Sequence, residues 1–264
     1  MTLATSVDAL HDDARTAQER ARWHAVASEH GIASLRHTHW LDDEFRAYDD
    51  APGVWAGRGG RVVGRGLSPD EPDAELVLAP GEEAVFGRLL LRALDRDGAP
   101  ALRVLDPEAP TRVRLRGIHS FADDDAWVLR GAFVPASDGE TRVVRSVDGY
   151  EREQPAVGTV ALTIGGAPVE LTVSGGSRGL SAVFADGTSG ADAYRFRFLP
   201  IDPPDAEGAV VVDFNRAYLP PCAFSAEYVC PLPPAGNRLA VRVEAGERLP
   251  DVAPAGEGDR GDTN

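Results

Sequence analysis

From Arg58 onward, glycine, proline and aspartate cut the chain into short runs, and no stretch of about 10 to 15 residues between them reads as a helix. The clearest case is Gly158 to Ile164 and Ala167 to Val173, two alternating runs that flank Gly165 and Gly166. Paired glycines relax the positive φ angles that a tight hairpin demands. Val160, Leu162 and Ile164 then share one face with Val169, Leu171 and Val173 of the returning strand. Further runs read as strands: Arg61 to Gly66, Glu75 to Ala79, Gly87 to Leu94, Ala101 to Leu105, Thr111 to Arg116, Trp127 to Val134 and Thr141 to Val147. So do Leu180 to Ala185, Ala193 to Leu199, Ala209 to Asp213 and Leu239 to Glu244. Within Thr111 to Arg116, Val113 and Leu115 are expected to point inward and the flanking arginines outward. The pattern excludes a doubly wound parallel sheet and predicts a mainly β fold: a curled antiparallel sheet, barrel-like or a sandwich.

Ahead of this body, Ser6 to about His30 is rich in alanine and arginine and reads as a helix, with Gly31 as its stop. Its stripe of Val7, Leu10, Ala14, Ala17 and Ala21 is weakly apolar. A helix packed on the sheet by a few contacts is expected, with Trp23 and Trp40 nearby. The predicted organisation is an N-terminal helix and connector over 1–57, a mainly β body over 58–249 with a candidate subdivision near 148–156, and a disordered acidic tail over 250–264.

The formal net charge is −15, from 27 basic and 42 acidic residues. Nucleic acid is therefore not an expected partner. Every basic residue is arginine, which excludes Schiff-base lysines and phosphate-loop lysines. No apolar run approaches the roughly 18 residues of a membrane span, and no signal-like apolar core opens the chain. The expectation is a cytoplasmic protein with no membrane partner. His37 and His39, with a later carboxylate, are the one candidate metal pair, weaker than a packing role, so neither metal nor cofactor is expected.

Residues 186 to 247 concentrate the unusual chemistry. Asp186, Thr188 and Ser189 can form a self-capping turn or cradle an anion. Along Tyr194 to Leu199 the aromatic rings alternate with Arg195 and Arg197, and an Arg197 that turns inward needs a carboxylate or a ligand. Asp213, Asn215, Arg216 and Tyr218 follow, either as a structural clamp or as a site in which the arginine fork reads a carboxylate or phosphate. The prolines around Cys222 and Cys230 predict a rigid irregular strap. These cysteines read as buried thiols, as a disulfide closing a nine-residue loop, or as metal or nucleophilic groups. Asn237 and Glu247 complete the polar set.

These residues resemble a bacterial and archaeal family of unknown function, DUF1684. The likeness rests on Asp213-Phe-Asn-Arg-Ala-Tyr218, Pro220-Pro-Cys-Ala-Phe224, Cys230-Pro-Leu-Pro-Pro234, Asn237-Arg-Leu239 and Ala245-Gly-Glu247. Upstream, His39-Trp-Leu41, Pro52-Gly-Val-Trp55, Gly117-Ile118, Trp127 and Phe133 resemble its actinobacterial members. Leu219 stands where members commonly carry asparagine, Phe196 where they carry glycine, and Gly187 where they carry alanine. The resemblance supplies no reaction. It implies that Asp186, Thr188, Ser189, Tyr194, Arg197, Asp213, Asn215, Arg216, Tyr218 and Asn237 form one site or one structural network.

Three functions fit. The first is binding of a small polar or anionic ligand in a pocket formed by residues 186–247, since an acidic protein needs a dedicated positive pocket to hold an anion. The second is a metal-independent hydrolase using Asp213 or Glu247 as base with Arg216. The third is a structural or protein-interaction module.

Overall fold

The structure is a computed structural model that describes the backbone of residues 4–176 and 179–254, and side chains from Thr16 onward within those ranges. The fold is mainly β and antiparallel, as the alternating runs predict. The chain divides into two units, one comprising Met1–Leu115 with Val252–Asn264 and the other Arg116–Asp251.

The first unit opens with helix α1 (Ala4–Ala27), close to the predicted bounds. Among its described side chains Val26 is fully buried, while Trp23 stays 38% exposed. The other tryptophan named with the helix, Trp40, holds the Arg96 guanidinium 4.1 Å over its ring. The α1 stripe residues Val7, Leu10 and Ala14 lie outside the described side chains.

Eight strands follow: β1 (Leu35–Trp40), β2 (Arg46–Tyr48), β3 (Ala51–Arg58), β4 (Arg61–Arg65), β5 (Leu76–Leu78), β6 (Glu83–Phe86), β7 (Leu89–Arg96) and β8 (Ala99–Leu105). They form two four-stranded sheets, ordered β1-β8-β7-β6 and β2-β3-β4-β5. Trp55, Val62, Leu78, Leu91, Leu102 and Val104 from both sheets make one buried cluster. Residues 42–57, expected as a connector, thus contain β2 and most of β3. The reason is that Asp49 and Asp50 form a hairpin turn inside a sheet, where Tyr48 pairs with Ala51.

Thr111 to Arg116 also differs from expectation. Pro110 opens a single helical turn, α2 (Pro110–Val113), because proline's fixed φ suits the first helical position. Val113 is consequently 65% exposed, and Arg112 donates to the carbonyls of Ala27 and Ser28 at the end of α1.

The second unit contains β9 (Leu115–Ser120), β10 (Val128–Pro135), β11 (Thr141–Arg145), β12 (Glu151–Pro155), β13 (Gly158–Ile164), β14 (Ala167–Gly176), β15 (Gly179–Phe184), β16 (Arg197–Ile201), β17 (Ala209–Asp213) and β18 (Glu247–Val252). Its main sheet runs β16-β15-β14-β13-β10-β17. Just past β17, Tyr218 exchanges two backbone hydrogen bonds with Phe198 of β16, which curls the sheet into a half-barrel. Gly165 and Gly166 take positive φ, and Val160, Leu162, Ile164, Leu171 and Val173 all enter the core with Phe184, Val212 and Phe214.

The segment near 148–156 contains β12, which pairs with β11. Two further expectations change here. Residues 250–252 belong to β18, which pairs with β9; its partner lies some 130 residues earlier, too distant for a local reading, and 255–264 fall outside the described residues. Leu239 to Glu244 is no strand. Its backbone groups instead meet the Asp186 turn and Arg197, as Gly187 N donates to the Val241 carbonyl and Arg197 to that of Val243. Similarly, β16 begins only at Arg197, because Tyr194 N donates outside the sheet to the Arg248 carbonyl. Among the described residues no helix is long and apolar enough to cross a membrane.

Candidate functional site

The Asp186 turn follows directly on β15, and its carboxylate organises the inside of the second unit. One carboxylate oxygen accepts from Thr188 N at 2.8 Å and from the Thr188 hydroxyl at 2.6 Å. The other accepts from Val243 N at 2.9 Å and from the Arg197 guanidinium at 2.7 Å. Ser189 closes the turn by accepting from Asp186 N at 3.0 Å. Arg197 also donates to the carbonyls of Val243, Ala245 and Glu247. Burial pushes the guanidinium's pKa down from its ordinary value, and Asp186 opposes that shift. Neither side chain of the pair touches solvent. The carboxylate that an inward Arg197 requires is therefore internal, and the irregular 243–247 backbone is tied to the sheet through it.

Gly246 takes φ +75° there, and a Cβ on it would lie 2.5 Å from the Ala217 carbonyl. Beside it the Glu247 carboxylate accepts from Leu219 N at 2.7 Å, so it acts as a backbone cap.

The remaining candidates do not join this knot. Asn237 is fully buried and bonds both backbone groups of Thr172 and the carbonyl of Val183, clamping β14 to β15. Asp213 caps the turn after β17 by accepting from Asn215 N, while Asn215 bonds the backbone of Asp124 at both its amide atoms. Arg216 pairs with Asp202 at 2.9 Å near the surface. Tyr218 packs its ring edge-on to Phe198. A shallow depression of about 670 Å³ borders Leu129, Arg130, Thr163 and Pro168, and none of the ten candidates lines it. By these hydrogen bonds Asp186, Thr188, Ser189 and Arg197 share one network, Asp213 and Asn215 a second, and Asn237 forms a third with β14 and β15.

Tyr194 leads to a cluster that the sequence reading did not assemble. Its hydroxyl donates to the Cys222 carbonyl at 2.9 Å and lies 3.7 Å from Cys222 Sγ. Cys222 N in turn donates to Cys230 Sγ at 3.4 Å. Both cysteines are buried thiols with no disulfide between them. The exposed Arg195 guanidinium lies over the rings of Tyr194 and Phe196 and acts electrostatically on Cys222. A hydrogen bond from Cys230, with help from Tyr194 and Arg195, brings the Cys222 thiol down to about 7 against the opposing effect of burial. Desolvation and the neighbouring Cys222 charge push Tyr194 up to about 12, which keeps its hydroxyl a proton donor.

The proline strap was the signal for this cluster: Pro220 and Pro221 introduce a 3₁₀ turn (Pro221–Ala223) that sets Cys222, and Pro231 forms a bridge with Ser146 beside Cys230. The positions of Arg195 and Tyr194 against it depend on the packing of β16. Among the described residues no group of histidine, cysteine and carboxylate side chains is arranged to hold a metal.

No curated protein matches this chain. An uncharacterized protein of Haloarcula marismortui, solved by solution NMR, is 30% identical with a TM-score of 0.42, over 50% of this chain and 76% of that one. The model of a family described as "Protein of unknown function (DUF1684)" matches residues 114–248, a span that includes the Asp186–Arg197 knot and both cysteines. The chain belongs to the DUF1684 family.

Proposed function

We propose that the second unit presents a nucleophilic thiol, Cys222, to a small polar or anionic electrophile, with Arg195 and Tyr194 as the recognising groups. The observation that carries this reading is the Tyr194 hydroxyl 3.7 Å from Cys222 Sγ, with Cys230 Sγ 3.4 Å from Cys222 N and the Arg195 guanidinium over the Tyr194 ring. A thiolate, not a thiol, is the attacking species, and these neighbours favour its formation near neutral pH. Arg195 also supplies a local positive charge in a protein of net charge −15, so a negatively charged reagent is favoured over a neutral one at that spot. The Asp186–Arg197 knot and Asn237 act as the scaffold that fixes β16 and the strap.

Alkylation tests the reading. Native protein treated with iodoacetate should form a thioether at Cys222 with loss of iodide, half-maximally near pH 7. R195Q should slow iodoacetate more than neutral iodoacetamide. Protection of Cys222 until the chain is denatured, or reaction only in the ordinary cysteine range, would overturn it.

A further inference from the structure

We propose that Cys222 and Cys230 form a hydroperoxide-driven dithiol–disulfide couple, in which Cys222 attacks and Cys230 resolves. This rests on the reading of Cys222 as a nucleophile and adds its partner, its oxidant and its product.

The geometry distinguishes the two sulfurs. The Tyr194 hydroxyl lies 3.7 Å from Cys222 Sγ, with the Arg195 guanidinium over the Tyr194 ring, which marks Cys222 as the group that reacts first. Cys230 Sγ sits 3.4 Å from the backbone nitrogen of Cys222, within the reach of one side chain. Each cysteine is anchored independently through its carbonyl: Cys222 by the Tyr194 hydroxyl, and Cys230 by Val147 N at 2.9 Å. Two cysteines held in adjoining positions by separate elements need little backbone movement to join. Their burial, with 8% and 5% of each residue exposed, admits a reagent the size of hydrogen peroxide more readily than a second protein.

The steps balance. The Cys222 thiolate attacks one oxygen of hydrogen peroxide; the S–O bond forms, the O–O bond breaks and hydroxide leaves, taking up a proton as water. The peroxide is reduced and the sulfur becomes a sulfenic acid. The Cys230 sulfur then attacks Cys222 Sγ; the S–S bond forms, the S–O bond breaks and the oxygen leaves as water with the Cys230 proton. Overall two thiols and one peroxide give one disulfide and two waters.

The experiment treats the reduced full-length chain with one equivalent of hydrogen peroxide and reads intact mass and peptide cross-links. The expected result is loss of two hydrogen masses, a cross-linked peptide joining Cys222 to Cys230, and reversal by a dithiol reductant. C230S should stop at a sulfenic acid that dimedone captures, and C222S should give no intramolecular cross-link. The measurement on the unsubstituted chain stands without either variant. Gain of oxygen without a cross-link, or a covalent dimer, would overturn the couple while leaving Cys222 a nucleophile. Absence of any oxidation in a chain that iodoacetate alkylates would likewise overturn the couple alone. If neither reagent reacts, both readings fall.

Discussion

Asp186 and Arg197 meet at 2.7 Å with neither side chain reaching solvent. Eleven positions apart in sequence, they are joined by a turn and the start of β16, and each bonds the backbone of Val243, Asp186 accepting from its nitrogen and Arg197 donating to its carbonyl. Breaking one partner of such a buried pair strands the other's charge. Asp186→Asn, which keeps the side-chain volume, should therefore destabilise the protein by about 3–5 kcal/mol in urea denaturation. Replacing both residues, as D186L with R197M, should cost less than the single change. A loss under about 1 kcal/mol in D186N would mean that the pair does not hold the strap.

Asn237 and Arg216 were grouped by sequence, and substitution should separate them. Asn237→Ala removes three hydrogen bonds inside the core and leaves the Thr172 and Val183 backbone groups without them. A cost of about 2–4 kcal/mol follows from stranding buried polar groups. Arg216→Ala removes a pair whose Asp202 side chain is 63% exposed, so its effect should stay within about 0.5 kcal/mol. Equal losses at the two positions would contradict this division.

The thiol cluster makes stability depend on pH in a defined window. Cys222 titrates near 7 in the folded chain against 9.0 for an ordinary thiol, so the folded state releases this proton first. Its contribution is complete above about 9 and is lost as pH falls through 7. Tyr194, raised from 10.0 to about 12, acts in the opposite sense only above pH 10. Subtracting the C222S unfolding profile from that of the native chain under reductant should leave a rise between pH 7 and 9. A flat difference would refute it.

Closing the nine-residue loop by oxidation should raise stability by about 2.6 kcal/mol on the chain-entropy account, or a melting shift of about 5–10 °C. Comparing melts of oxidised and reduced chain measures it, and C230S should show no such shift.

In the first unit, Asp106 accepts from Arg88 at 2.8 Å and from Arg36 at 3.2 Å, with its own side chain 1% exposed. The Arg88 hydrogen bond holds its carboxyl below the ordinary 3.8 against burial. The stabilisation is present above that ordinary value and disappears as pH falls through the lowered one. Native chain and D106N should therefore differ in melting temperature at pH 6 and converge in strong acid.

Local chemistry in the sequence determined the hairpin at Gly165-Gly166, the shared apolar face of β13 and β14 and the need of an inward Arg197 for a carboxylate, because side-chain alternation and the cost of a buried charge act on neighbours along the chain. It also marked the strap, since prolines stiffen the backbone wherever they stand. Tertiary structure alone decided that Asp186 is that carboxylate, that Asn237 clamps two strands, and that Arg195, Tyr194 and Cys230 surround Cys222. Those meetings depend on the path of an irregular segment with no period to read. The same limit concealed β18, whose backbone finds its partner only when β9, far back in the chain, is brought alongside it.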